Sequence, residues 1–254
     1  MGKFFSVTKK IEIAASKQHT AFGSGDVVAD WQAIQIPKGS CCLRSITMLV
    51  RPKGDTTPTD NNFQCDIVFS KTNTVSLGTV NSATAHRPFP DIIGLVEIAT
   101  GNYGINNFNS TVIASTGLQG NDNEAGIPLV ITGDPDGDNT GFDTIYVGIV
   151  TNSSTIPDFT SINVINDADI NSTQVTDVVM AGSGMDVREH FAVGDVLHAE
   201  DDTLLGTIES IADATTGPIT LTSATSGAGD ATTVTNGDTI YNLHPITLIL
   251  GFEK

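Results

Sequence analysis

Phe63-Gln64-Cys65-Asp66-Ile67-Val68-Phe69 decides the fold class of this chain. Apolar residues recur at every second position: Phe63, Cys65, Ile67 and Phe69 share one face, with Gln64 and Asp66 on the other. A period of two belongs to a half-buried strand. The same reading extends outward from this segment. Trp31 to Ile36 is a strand that stops at the turn Pro37-Lys38-Gly39. Cys41 to Val50 follows and stops at Arg51-Pro52-Lys53-Gly54. Further strands are predicted near 10–15, 92–98, 110–115, 127–132 and 143–150. Helical spacing is weak throughout. The best short candidates are 88–95 and 185–191, because β-branched residues and glycines break up anything longer.

A chain of 254 residues with 39% hydrophobic content is long enough to bury a real core. Gly, Ser, Thr, Asn and Asp are plentiful, as in short strands joined by many turns. The polar run Thr151–Asp158 reads as a linker. A second series of short strands follows near 161–165, 174–180, 193–198, 204–211, 218–222 and 238–242, with acidic or glycine-rich turns between them. Pro245 to Lys254 is strongly apolar again and needs a large sheet to cover it. The expected architecture is therefore all-β. Residues 1–156 plus 244–254 form a jelly-roll-like β-sandwich, the docking domain. Residues 157–243 form a smaller, acidic β-barrel-like module inserted before the last strand. Lys71–Pro90 has no clear strand signal, which leaves a purposeful excursion and a missed strand equally open.

Charge is distributed unevenly. Residues 1–100 hold ten Lys/Arg and eight Asp/Glu, whereas residues 101–254 hold two and twenty-one. A surface of that sign repels nucleic acid and anionic membranes, so neither is an expected partner. No apolar run reaches the length of a membrane span, and Met1–Lys10 has no signal-peptide pattern. Cys41, Cys42 and Cys65 are too few for a disulfide framework and suit core thiols made in a reducing cytoplasm.

Catalytic signatures are missing. The five histidines fit no zinc spacing, and no nucleophile elbow, Walker loop or dinucleotide fingerprint is present. The chain therefore reads as a non-enzyme with no cofactor. Asp134, Asp136, Asp138 and Asp143 form the densest carboxylate cluster and are a weak Ca²⁺ candidate. They depart from the EF-hand order in their glycine position and lack the closing Glu. Tyr103, Asn106, Asn107 and Phe108 mix aromatics with amides, a composition that stacks on sugars or packs on a partner. Lys3, Lys9, Lys10 and Lys17 mark a basic arm for partner docking, by strand pairing with a neighbour.

Two stretches carry a resemblance. Asp30-Trp31-Gln32-Ala33-Ile34-Gln35-Ile36-Pro37-Lys38-Gly39-Ser40, with the strand to Val50, resembles the opening of structural proteins in marine tailed phages, including cyanophages. Val193-Gly194-Asp195-Val196-Leu197, Leu205-Gly206-Thr207-Ile208 and Val234 to Tyr241 resemble a β-barrel module of phage virion proteins. The resemblance implies a capsid-decoration, knob or related virion protein. Such a protein is made in the host cytoplasm, forms homo-oligomers and contacts the major capsid or other virion proteins. The alternative is a carbohydrate-binding or host-adhesion module of a fibre or surface protein, working through the loop at Tyr103.

Overall fold

The structure, a computed structural model, describes residues 2–53, 59–104, 111–116, 127–135, 142–160, 162–163, 174–175, 188, 190–211, 219–222 and 239–254. The described chain is all-β, in three antiparallel sheets. The first sheet contains β1 (Phe4–Ile11), β3 (Ser40–Val50), β6 (Val112–Ser115), β7 (Leu129–Thr132) and β16 (Ile246–Glu253). Its order is β1-β16-β3-β6, with β7 beside β6 on the same edge of β3. The second contains β2 (Val27–Pro37), β4 (Cys65–Ser70), β5 (Ile92–Ile98), β8 (Asp134–Pro135) and β9 (Phe142–Thr151), in the order β2-β9-β4-β5, with β8 paired to β9. The chain alternates between these two sheets, which pack face to face as a β-sandwich.

The core follows the period of two. Leu43, Ile46, Met48 and Val50 of β3 and Ile246, Leu248, Leu250 and Phe252 of β16 face Ile67 and Phe69 of β4 and Ile145, Val147 and Ile149 of β9 across the sandwich. β16 lies between β1 and β3 and pairs along its whole length with both. One corner is closed by a single chain segment that changes sheets: β7 pairs with β3, and after Gly133 β8 pairs with β9. A Cβ on Gly133 would stand 2.7 Å from that of Asp143, so only glycine passes there.

The third sheet holds β10 (Ile162–Asn163), β11 (Gln174–Val175), β12 (Val196–Ala199), β13 (Leu204–Ile211), β14 (Ile219–Thr222) and β15 (Thr239–Asn242). The order is β10-β15-β12-β13-β14-β11. It has its own small core of Phe191, Leu197, Leu205, Ile208, Ile219, Leu221 and Ile240. In sequence, this sheet lies between β9 and β16. Residues 157–243 carry one Arg and fourteen Asp/Glu, a net of −13, against −4 for the rest of the chain.

Three features differ from or sharpen the sequence reading. The strand sought near 10–15 starts earlier, at Phe4. The helix candidate 88–95 runs into β5 instead, and most of 185–191 lies outside the described residues. The run 71–90 forms no strand; it lies over the outer face of the second sheet. There Trp31 Nε1 donates to the carbonyl of Val75 at 2.7 Å, and Leu77 N donates to Asp30 Oδ1 at 2.9 Å. Leu77 packs over Gly148, where any side chain would strike it.

Candidate functional site

The seam between the sandwich and the third sheet is crossed by a set of side-chain hydrogen bonds and ion pairs. Arg51, just beyond β3, donates twice from one guanidinium nitrogen to Asp195, at 2.8 and 2.9 Å. The Asp195 side chain is only 6% exposed, and it also accepts the amide of Ala192. Buried Gln18 donates to the carbonyls of Ile13 and Asn242, one on each side of the seam. Ser16 N donates to Asp202 Oδ1 at 2.8 Å, and His19 Nδ1 meets the Tyr241 hydroxyl at 2.8 Å. Burial pushes the Tyr241 phenol up to about 12. Asn61 ties the place where the chain leaves the sandwich: its side chain donates to the carbonyls of Arg51 and Asp158 and accepts Asp158 N.

A cavity of about 30 Å³ lies in this seam, lined in part by Gln18, Arg51, His190 and Asn242. It has room for about one water and none for a substrate. A second, of about 10 Å³, lies beside Trp31 and Phe89.

His244, at the return to β16, gives the seam a pH dependence. Burial holds its pKa below the ordinary value; Glu12 and Asp195 oppose that shift, while Lys10 and Lys9 reinforce it. Glu12 Oε1 lies 3.8 Å from Nε2, and Nδ1 is buried without a hydrogen-bond partner. The folded state thus favours the neutral ring. Its contribution is complete above the unfolded pKa of about 6.5 and is lost as the pH falls through the lower folded value. Between pH 7.5 and pH 5 the urea midpoint should fall, and His244→Gln should flatten that acid limb. An identical slope in both proteins would remove His244 from the account.

Among the described residues, those singled out by sequence are not brought together. Tyr103 is no open stacking platform. Its hydroxyl donates to the carbonyl of Phe63 at 2.8 Å and accepts Phe63 N, and its ring packs on the core. Burial raises its pKa. Asn106, Asn107 and Phe108 lie outside the described residues. Of the carboxylate cluster, Asp136 and Asp138 also lie outside them. Asp134 pairs with Thr144, and Asp143 with Pro135. Asp143 is buried on the same face of β9 as Ile145, and its Oδ2 accepts the amide of Gly39 at 2.8 Å. Among the described residues no group of three His, Cys, Asp or Glu is placed to hold a metal.

The lysines do not form a free arm either. Lys3 exchanges backbone hydrogen bonds with Lys254, and Lys9 and Lys10 are within β1. Lys10 Nζ reaches the carbonyl of Gly194, and Lys17 ends a 3-10 turn. Ile11, Ile13 and Ala15, on the same segment, are fully buried, because the segment completes the first sheet. Cys41 and Cys65 are buried free thiols, with burial pushing both pKa values up. Sequence reasoning missed Arg51, Asp195 and Gln18, whose contacts across the seam join residues remote in sequence.

No protein-family model, curated protein or solved structure matches this chain.

Proposed function

We propose that this chain is a non-enzymatic structural protein of a tailed-phage virion, a capsid decoration or knob protein. Its sandwich docks on the major capsid or another virion protein, and its acidic module projects into solvent. The observation that carries this reading is the placement in sequence of a −13 module between the last two strands, β9 and β16, of a two-sheet body. A body near neutrality approaches a protein neighbour at little electrostatic cost, and a strongly acidic module stays solvated. The resemblance of Asp30–Val50 and of the segments at Val193 and Val234 to virion proteins points the same way.

Particles from the source of this chain provide the test. The chain should band with intact particles through a density gradient in many copies per particle, and particle imaging should place the sandwich inward and the acidic module outward. A chain found only in the soluble fraction would overturn the reading. Saturable binding to a glycan array would favour adhesion instead.

A further inference from the structure

We propose that the free edge of β1 is a self-association site, at which β1 of a second copy pairs antiparallel across a two-fold axis. The argument starts from hydrogen-bond parity. Lys3 and Lys254 exchange N–H···O bonds, so Lys3, Phe5, Val7, Lys9 and Ile11 direct their backbone groups at β16. Phe4, Ser6, Thr8 and Lys10 direct theirs outward. The parity is checked at Glu12, the next outward position. There the Gln32 side-chain amide both accepts from Glu12 N, at 3.1 Å, and donates to Glu12 O, at 2.8 Å. Gln32 thus takes the place of a strand residue and seals the edge at that point. No such cap covers Phe4 to Thr8 among the described residues.

Edges are ordinarily protected by proline, by a bulge or by charge. The open run Phe4-Phe5-Ser6-Val7-Thr8 has none of these, and it pairs with β16 without a register break. Phe4 is 74% exposed, the most exposed large hydrophobic residue described. Lysine appears only at the ends, as Lys3 and then Lys9 and Lys10.

The occupant follows from charge. The acidic module contacts the Lys10 end of β1, through Gly194. Parallel pairing would place two modules of −13 side by side. Antiparallel pairing puts them at opposite ends and carries the Lys3 end of each copy toward the acidic module of the other. A register with Ser6 opposite Thr8 of the second copy also sets Phe4 against the Lys10 stem. Each copy then satisfies the outward groups of the other, and the first sheet continues across the axis. This association concerns the isolated chain and does not depend on the virion reading.

Ser6→Pro tests it. The Ser6 amide points away from β16, so proline there spares the intramolecular ladder and removes one donor from the edge. The wild-type chain should sediment as a dimer at high micromolar concentration, and the variant, with its thermal transition retained, should weaken dimerisation by about tenfold or more. Should Ser6→Pro lose its thermal transition, charge decides. Ser6→Glu/Thr8→Glu and Ser6→Lys/Thr8→Lys should each be monomeric, and an equimolar mixture should dimerise. A monomeric wild-type chain, a dimer unmoved by folded Ser6→Pro, or a mixture that stays monomeric would overturn the proposal.

Discussion

Replacing Arg51 with methionine is expected to destabilise the seam by about 3 kcal/mol and to split one unfolding transition into two. The reason is the asymmetry of the pair. Arg51 is a quarter exposed, whereas the Asp195 side chain is almost completely buried. Removing the guanidinium leaves a carboxylate in low dielectric with, among the described residues, only the Ala192 amide to compensate it. Asp195→Asn should cost less, because Arg51 retains access to water. The double variant Arg51→Met/Asp195→Leu should recover most of the loss, since no buried charge then lacks a partner. Urea denaturation followed by near-ultraviolet and far-ultraviolet signals reads both effects. A midpoint unchanged in Arg51→Met, with the probes still coincident, would show that the apolar contacts hold the module unaided.

Those two residues also show where reading the sequence stops. They are 144 positions apart, and neither carries a local mark of the other. Arg51 reads as part of a strand-ending turn, and Asp195 as part of a glycine-acid turn. Strand location was far more legible, because period two is a local property. The segments 92–98 and 204–211 coincide with β5 and β13 to the residue. β1 is less legible, because Lys9 occupies an inward position and Lys10 follows it, which masks the period of two at the end of the strand. Tyr103 and Asp143 misled for the opposite reason. Both are polar residues in loop-like sequence, and both turn inward to satisfy backbone groups, Phe63 for one and Gly39 for the other. Polarity reveals that a group needs a partner; it does not reveal whether that partner is a ligand or the chain itself.

Removing residues 244–254 should abolish folding of the sandwich, whereas excising most of the module should not. β16 is the shared neighbour of β1 and β3, so its loss breaks two ladders at once. It also removes the buried side chains of Ile246, Leu248, Leu250 and Phe252. At about 1.5–3 kcal/mol each, these amount to roughly the whole net stability of a domain, about 5–15 kcal/mol. Among the described residues the third sheet shares no ladder with the other two. Its chain leaves and returns close together: Asn61 joins Arg51 to Asp158, and Arg51 N donates to the carbonyl of Pro245. A short glycine-serine link from residue 160 to residue 243 therefore bridges the gap, and retaining Phe159 keeps its edge-on contact with Phe22 at 6.1 Å. The excised chain should show a cooperative thermal transition and strand-type circular dichroism, and the truncated chain neither. Cooperative folding without residues 244–254 would mean that β1 and β3 pair directly, and that the apolar last strand is an addition to the sandwich and not its keystone.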